Sequence, residues 1–372
     1  MINFKNLLLF LLLYPLSTIS VLAHAEKVYN LEGTIGNQEI IMEIRNIEGY
    51  YSGRYCFRDK KKSIYLEIEY DSIASRFKML QPSLETKNQQ IFEQIVITED
   101  SLHNWSGEQK TADGNIHKVF LYPIKITHSE PHSIKNEKIK KTLSPYNYCL
   151  LSDIKFELTS TQKFKKGIKI EWLTETGSKT KLFRVVDGFS SSKMTEINNY
   201  LEQFFINDII NAYSYKNYQN KINISYFTPN IISIVESKKS YTINNNLTTS
   251  VMYLTLDLKT LEKLNLEDLL WLGDEKTPRN GSKEYFIYRR EVFGKKIKKY
   301  VHDSYSKKID ESKCSFSNEK IFQFPDFYLS QKGMVLMLNN YLLSDKCKKQ
   351  TWIVLGYNDF SSKWNKAYFN KK

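Results

Sequence analysis

The sequence predicts an α+β protein, in which an N-terminal all-β antiparallel sandwich or barrel precedes an α+β domain with an antiparallel sheet and one main amphipathic helix. Three observations predict this class. The chain has 372 residues, which suggests two domains. Apolar and polar residues alternate with a period of two over residues 28–126, as in half-buried strands. Residues 194–209 instead carry apolar side chains three and four residues apart, as in a helix that packs one face on a sheet.

The composition is that of a folded soluble protein. Hydrophobic residues make up 41% and charged residues 26%, which excludes disordered, collagen-like and multi-span membrane proteins. Lys and Arg outnumber Asp and Glu by 54 to 41, a formal net charge of +13. Such a charge would attract anionic wall polymers or lipid headgroups. A chain this rich in Lys, Asn, Ile and Tyr also reflects AT-rich codon usage, so the charge alone assigns no partner.

The first 25 residues have the form of a secretory signal peptide. Lys5 precedes an apolar run at 7–13, and the segment ends in the small-x-small pattern of residues 23–25. The run is too short to span a membrane, so we expect cleavage before Glu26 and no stable membrane insertion afterwards. The first cysteine is Cys56, so no lipid-anchoring cysteine follows the run. The predicted location is periplasmic or secreted, and nucleic acid is not an expected partner. Cleavage removes one Lys and no acid, which lowers the net charge by one, to +12.

The chain has four cysteines, an even number, which in an exported protein predicts disulfides. Three pairings are possible. We favour Cys314 with Cys347, because this pair brackets a segment that reads as one strand unit, and therefore Cys56 with Cys149. A zinc site would need closely spaced Cys and His, whereas these cysteines are scattered singly.

The first predicted domain spans residues 26–127 and is all-β. The alternation is clear at Ile40, Met42 and Ile44, which lie on one face of a predicted strand, while the residues between them lie on the other face. In the strand at 51–58, Cys56 lies on the face opposite the apolar set and is predicted to point away from the core. Gly-, Asn- and Asp-rich turn signals separate short strands at 33–37, 48–49, 59–62, 98–100 and 113–115. Residues 128–146 contain two prolines and little periodicity and are predicted to be a linker.

The second predicted domain spans residues 147–372. Its clearest element is the helix at 194–209, for which Ser192 is the predicted N-cap. A second, short helix is predicted at 266–272, capped by Asn265. Strands are predicted at 154–158, 168–173, 222–227, 231–238, 249–258, 327–329, 334–338 and 351–355. Because strands and helices do not alternate regularly, this pattern favours α+β over parallel α/β. The lysine-rich run at 295–299 is predicted to be a solvated face.

Several stretches of the second domain follow one another in a characteristic order. They are V-D-G-F at 186–189 leading to I-N-N-Y-L at 197–201, D-L-K-T at 257–260 followed by L-E-D-L-L at 266–270, F-Y-L-S-Q-K-G-M-V-L at 327–336, and W-I-V-L-G-Y at 352–357. In this order they resemble the extracytoplasmic domain of unknown function shared by RsiV-type lysozyme-sensing anti-sigma factors and PdaC-type wall deacetylases, where it is an accessory region. The resemblance covers residues 151–364. It implies a binding module whose target is a wall-active enzyme or another envelope component.

Two loops depart from this family. Members often carry G-G-A-H before the D-L-K-T strand, where this chain has Y-T-I-N-N-N-L-T at 241–248. The loop at 339–347 also lacks the usual Pro-Tyr and Tyr-Ala-Ala-Gly elements. We therefore predict ligand contacts at Tyr241, Asn244 and Asn245, to a ligand that differs from the family's. Lysozyme is itself basic, so a protein of net charge +12 would be repelled by it electrostatically.

Trp105 is a further candidate for ligand binding. It stands in the turn-rich stretch 104–114, and an exposed Trp can stack on sugar rings. The alternative is that the indole caps the end of a β core.

No catalytic signature is present. S-x-x-K occurs seven times, as chance allows in a Lys-rich chain, without its companion S-D-N and K-T-G elements, and G-x-S-x-G, Walker and G-x-G-x-x-G motifs are absent. His128 and His132 have the spacing of a metal pair and fit the H-S-x-x-H form of wall deacetylases. Pro131 breaks the helix that would align them, and the T-F-D-D element is missing. We expect no enzyme, no catalytic residue, no cofactor and no metal.

The sequence therefore favours an exported, non-enzymatic bacterial envelope protein, a binding module of the inhibitor, sensor or immunity type. One alternative is a protein that binds or maintains a wall polymer, either peptidoglycan or another glycan. A second is a cryptic hydrolase, which would need two carboxylates facing each other across a cleft. The expected partner is an envelope protein or a wall polymer, and the oligomeric state is left open.

Overall fold

The alternation in the first third of the chain produces a closed barrel. In the computed structural model, which describes residues 26–81, 93–124, 137–152, 154–241, 246–274, 276–305, 318–338 and 352–369, the predicted α+β class is confirmed. Two compact units are present. Unit 1 comprises the described residues of Met1–Tyr55, Tyr65–Gln81 and Phe92–Ile124, and unit 2 those of Cys56–Ile64, Pro82–Ile91 and Lys125–Lys372. The predicted signal peptide lies outside the described residues.

Eight strands form the barrel, each next to its neighbour in the sequence, and the last pairs antiparallel with the first. Their bounds are β1 Lys27–Ile35, β2 Gln38–Ile47, β3 Tyr50–Phe57, β4 Ser63–Asp71, β5 Arg76–Gln81, β6 Glu93–Glu99, β7 Trp105–Lys110 and β8 Ile116–Pro123. An eight-stranded barrel is just wide enough for side chains to fill it. Apolar side chains from all eight strands do so here, with Leu31, Met42, Tyr55, Leu66, Phe77, Ile95, Trp105 and Leu121 almost wholly buried. The barrel therefore has a packed apolar core.

Unit 2 contains three antiparallel sheets of three strands each. Their orders are β11-β10-β9, β12-β13-β14 and β15-β16-β17. The strands are β9 Phe156–Lys163, β10 Lys169–Glu175, β11 Lys181–Asp187, β12 Lys216–Phe227, β13 Ile231–Tyr241, β14 Leu247–Asp257, β15 Asp326–Ser330, β16 Gly333–Met337 and β17 Trp352–Gly356. The helices are α1 Glu137–Thr142, α2 Pro145–Leu151, α3 Ser191–Ser214, α4 Leu266–Leu269, α5 Lys283–Tyr288, α6 Gly294–Tyr305 and α7 Lys366–Phe369. Among the helices described, none is both long enough and apolar enough to cross a bilayer.

The predicted main helix is α3, whose stripe buries Ile197, Leu201, Phe205, Ile206 and Ile209. Its N-cap is Ser190, whose side chain accepts a hydrogen bond from the backbone N–H of Lys193 at 3.3 Å. The prediction of Ser192 as the N-cap was wrong. Residues 190–192 are all serines that can cap a helix, and the spacing of the apolar residues does not show which of them precedes the first turn. Ser190 is the residue with extended backbone.

One asparagine on α3 fixes the helix to the neighbouring sheet. The Asn198 amide accepts from the backbone N–H of Val185 and donates to the carbonyl oxygen of the same residue, both at 2.8 Å. This pair of bonds joins the I-N-N-Y-L stretch of the helix to strand β11.

The D-L-K-T stretch is a tight turn at the end of β14. The carboxylate of Asp257 accepts from the backbone N–H groups of Lys259 at 2.6 Å and Thr260 at 3.3 Å. The short helix α4 follows, and Asn265 and Asp268 form a capping box at its start. The helix is shorter than the predicted 266–272, because Leu270 already has extended backbone.

Helices α5 and α6 were not predicted. They join through a π-helical turn at Arg289–Phe293, so the buried residues Tyr288, Phe293, Ile297 and Val301 are spaced by five, four and four positions. The inserted residue of a π-turn shifts the later apolar positions off the 3.6-residue period. The lysine-rich run at 295–299 lies on α6 and brackets the buried Ile297.

Helices α1 and α2 occupy the second half of the segment predicted as a linker. They bury Ile139 and Tyr146, and residues 125–136 lie outside the described part of the chain. Within unit 2, the stretch 56–64 contacts α2 and the residue after it. The hydroxyl of Tyr146 donates to Ser63 Oγ at 2.5 Å, and the Lys61 ammonium donates to the carbonyl oxygen of Ser152.

Candidate functional site

The sheet β12-β13-β14 has one face that unit 2 covers only in part. Near one end of this face, Ser233 Oγ lies 2.9 Å from Thr255 Oγ1 and accepts a hydrogen bond from the backbone N–H of Leu329 at 3.0 Å. Strand β15 therefore covers that end. The covered part ends where the rings of Tyr253 and Tyr328 stack, with centroids 5.9 Å apart and planes within 6° of parallel. Beyond this stack the side chains of the face are exposed or half-buried.

We call the uncovered part of this face the open sheet face. Its side chains form four cross-strand rows: Lys216, Tyr241 and Leu247; Gln219, Lys239 and Thr249; Lys221, Ser237 and Val251; Asn223, Val235 and Tyr253. Rows two residues apart along a strand are about 7 Å from one another, and neighbouring strands are about 4.8 Å apart. The open sheet face is therefore a strip about 20 Å long and about 10 Å wide.

The charge on this strip has one sign. Lys216, Lys221 and Lys239 are all exposed, and the four rows contain no Asp or Glu. Within the described part of the chain, none of the three ammonium groups forms an ion pair. Lys239 lies one row and one strand from each of the other two, a diagonal relation that places such residues about 7–8 Å apart. The three lysines therefore follow a zigzag line along β12 and β13, where anionic groups could be held in succession.

The opposite face of the same sheet packs against α3 and contains a buried acidic cluster. Asp208 on α3 is 0% exposed and Glu236 on β13 is 2% exposed. Asp208 Oδ1 accepts from the Tyr218 hydroxyl at 2.7 Å and from the Lys238 ammonium. Glu236 accepts from the Asn220 amide at 3.2 Å, and its other oxygen lies 3.1 Å from Lys238 Nζ. One lysine thus serves two buried acids.

These contacts favour a proton on Glu236. Burial first, and then hydrogen bonding with Asp208 and repulsion from it, raise the pKa of its carboxyl to about 7, against the opposing effect of Lys238. Asp208 Oδ2 is buried and accepts no hydrogen bond from the described residues, so a proton on Glu236 supplies the missing donor. Burial lowers the pKa of Lys238, but its bonds to Asp208 and Glu236 outweigh this and raise it.

The position of the cluster decides what it can do. A hydrolytic carboxyl pair must face a substrate across a cleft, whereas both of these acids are covered by α3 and the sheet. The cluster therefore bonds α3 to β12 and β13 and supports the open sheet face from behind.

The predicted ligand contacts fall in different places. Tyr241 is the last residue of β13 and lies on the open sheet face, paired with Leu247. Asn244 and Asn245 lie outside the described residues. Trp105 is 1% exposed, with its ring centroid 5.4 Å from that of Tyr29 and 4.6 Å from that of Phe77. Its indole is part of the barrel core in this structure and offers no free ring face to a sugar.

The cysteines predicted to pair are partly described. Cys56 and Cys149 are both buried, and their Sγ atoms are 2.8 Å apart. The hydrogen bond with Cys56 lowers the pKa of the Cys149 thiol, burial opposes this, and the positive charges of Arg58 and Lys61 add to the lowering. Cys314, Cys347 and the two histidines at 128 and 132 lie outside the described residues. In the part of the chain that is described, no group of three or more His, Cys, Asp or Glu could hold a metal ion.

Two groups of residues were missed by sequence reasoning. The lysines of the open sheet face lie in strands whose two faces are both partly polar, so alternation alone does not tell which face is uncovered. Asp208 gave a usable signal, because it stands three residues after Phe205 and therefore on the buried stripe of α3. A single acid on an apolar stripe needs a buried partner, which would have directed attention to Lys238 and Glu236.

The chain has a distant likeness to a solved structure. No protein-family model matches the chain, and no curated protein does. Among solved structures, it is similar to a member of the DUF3298 family from Bacteroides fragilis NCTC 9343, with 11% identity and a TM-score of 0.33. The matched region covers 57% of this chain and 94% of the other. So distant a likeness assigns no activity to this chain.

Proposed function

We propose that the protein is an exported, non-enzymatic bacterial envelope protein whose unit 2 binds another component of the envelope through the open sheet face. The observation that carries this proposal is the open sheet face itself, a strip with exposed Leu247 and Val251, half-buried Tyr241 and Tyr253, and three exposed lysines. The solvated face of an antiparallel sheet is commonly polar. An uncovered face that mixes apolar, aromatic and charged side chains has the composition of a binding surface.

The resemblance to the RsiV and PdaC domains supports the same function. It implies a wall-active enzyme as one class of target. One of the two stretches that depart from the family, 241–248, begins at Tyr241 and includes Leu247, which pair at one end of the open sheet face. The signal-peptide pattern of residues 1–25 supports export. An inhibitor, sensor or immunity role requires a tight complex with a defined partner.

The test is capture of the partner by the exported chain, residues 26–372, from envelope extract. For a protein partner we expect a stoichiometric envelope component, and we expect Val251→Asp to reduce its recovery at least tenfold, because Val251 is 50% exposed on β14, along one long side of the strip. Val28→Asp is the matched control, since Val28 is 38% exposed on the outside of the barrel. Equal capture by both variants, or capture of neither an envelope protein nor a wall polymer, would contradict the proposal. Mass spectrometry of the exported protein should find Glu26 as its first residue.

A wall polymer is the second candidate partner. The specific observation that favours it is the line of Lys216, Lys239 and Lys221, which form no ion pair with the described residues.

A further inference from the structure

The cations of the open sheet face point to the chemistry of its partner. Lys216, Lys221 and Lys239 are exposed, have no ion-pair partner among the described residues, and share the strip with no acidic side chain. A cationic strip attracts anions and repels a basic protein surface. Protein–protein interface cores are enriched in Arg and aromatic residues and depleted in Lys, whereas every cation here is a lysine. The charge pattern therefore favours a polymeric anion over a protein.

The dimensions of the strip agree with this. A globular partner in a specific complex covers about 20–30 residues of each surface, whereas the strip presents the twelve residues of its four rows. One extended chain fits such a strip along its length. The steps of about 7–8 Å between successive lysines suit a polymer with one anionic group in each repeat.

The remaining side chains suit a polyol or sugar backbone. Ser237 and Thr249 contribute hydroxyls, Gln219 and Asn223 contribute amides, and all four lie between or beside the lysines. Hydroxyls and amides both donate and accept, which matches the hydroxyl groups of a polyol or sugar. Tyr241 adds an aromatic ring at one end of the strip.

We propose that the open sheet face binds an extended anionic polymer of the envelope, whose phosphate or carboxylate groups are held in succession by Lys216, Lys239 and Lys221. This inference rests on the proposed function and specifies its partner. The shared chemistry is a polyhydroxylated chain with one negative charge per repeat.

The experiment measures binding of the exported chain, residues 26–372, to three soluble probes. Poly(glycerol phosphate) carries phosphate, polygalacturonate carries carboxylate, and dextran is neutral. We expect binding to at least one polyanion and none to dextran, and the polyanion bound more tightly identifies the anionic group. Three lysine contacts predict that log affinity falls with log salt concentration with a slope of about −2, taking the value per contact for single-stranded polyanions.

Two charge variants decide whether the strip is responsible. Lys221→Glu combined with Lys239→Glu should weaken polyanion binding at least tenfold. Lys283→Glu combined with Lys299→Glu, exposed on α5 and α6, makes the same change in net charge and should alter affinity less than twofold. Equal weakening by both pairs would show attraction by net charge alone and would overturn the inference, as would dextran binding or the absence of polyanion binding. Circular dichroism of each variant confirms that it is folded.

The inference and the proposed function can fail separately. If no polyanion binds but Val251→Asp still abolishes capture of a stoichiometric envelope protein, the polymer is wrong and the binding function stands. If neither polyanions nor an envelope component binds, both are wrong.

Discussion

The buried acidic cluster makes the stability of unit 2 depend on pH in an unusual direction. Glu236 is an acid whose pKa is raised by burial and by Asp208, from 4.5 to about 7 in the folded state. Between these two values the folded protein keeps a proton that the unfolded chain has released. The free energy of unfolding should therefore fall as the pH rises from about 4.5 to about 7 and stay lower above that range.

The size of the effect follows from the same shift. Each pKa unit corresponds to about 1.4 kcal/mol, so the raised pKa costs unit 2 about 3 kcal/mol at pH 8. Tyr218 and Lys238 keep their charge state over this range. Burial and the nearby Asp208 raise the pKa of Tyr218, and the net effect of its surroundings also raises the pKa of Lys238.

Replacing Glu236 by glutamine removes this cost. The amide of Glu236→Gln can donate to Asp208 Oδ2, as the protonated acid does, and its carbonyl oxygen can accept from Asn220 or Lys238. We expect the variant to match the natural protein within about 1 kcal/mol at pH 4.5 and to be more stable by about 3 kcal/mol at pH 8.

The assay is hydrogen exchange of β13 peptides across a urea series, read by mass spectrometry, because it reports unfolding of unit 2 specifically. The matched control is Glu196→Gln on α3, the helix that carries Asp208. Glu196 is an exposed acid paired with Lys193, and this variant should follow the natural protein at every pH. The reasoning is refuted if Glu236→Gln is less stable than the natural protein at pH 8, or if the difference between them does not change with pH.

Three further predictions concern the packing of unit 2. Peptide mapping of the exported protein without reductant should show Cys56 cross-linked to Cys149; because 93 positions separate them, losing that bond should cost about 4 kcal/mol, and two free thiols in the map would contradict the pairing. Asn198→Ala removes both bonds to the backbone of Val185 and should lower the unfolding free energy by about 1–3 kcal/mol in urea; an unchanged midpoint would mean that α3 does not need this contact. Gly188→Ala should cost about 2 kcal/mol or more, since Gly188 has φ +96° and an added Cβ would lie 2.6 Å from a backbone Cα atom of a neighbouring segment; a thermal melt that matches the natural protein would contradict this.

The features that followed from sequence are those in which one local pattern decides the structure. Barrel strands alternate because one face of each is buried, and α3 shows its stripe because the sheet covers one side only. The α5–α6 segment breaks this rule, since the π-helical turn after Tyr288 adds a residue and separates two individually regular helices. Local pattern was sufficient wherever the backbone keeps one period.

The candidate site depends on long-range arrangement and was therefore only partly predictable. Tyr241 was predicted as a ligand contact because it begins a loop whose sequence departs from the family that the domain resembles, and it lies on the open sheet face. Lys221 and Lys239 could not be assigned to a site, because whether a polar strand face is open depends on where β15 ends, and β15 begins more than eighty positions after β13. Glu236 and Lys238 alternate with Ser237 in sequence, and only the position of Asp208 on α3 makes them a buried cluster.

The contact between residues 56–64 and α2 also bears on how the protein is made. Unit 2 is assembled from separate stretches of the chain. A fragment beginning at residue 147 would therefore lack Cys56 and Ser63, which contact helix α2. It would also lack Tyr146, because this cut removes the first two residues of α2. During synthesis from the amino end, the barrel strands are made first, and Cys149 is added 93 residues after Cys56. Such a non-local contact is costly to form, because the entropy of closing the loop must be paid before the contact stabilises anything. Unit 2 is therefore complete only when residues 56–64 and α2, two stretches far apart in the sequence, have come together.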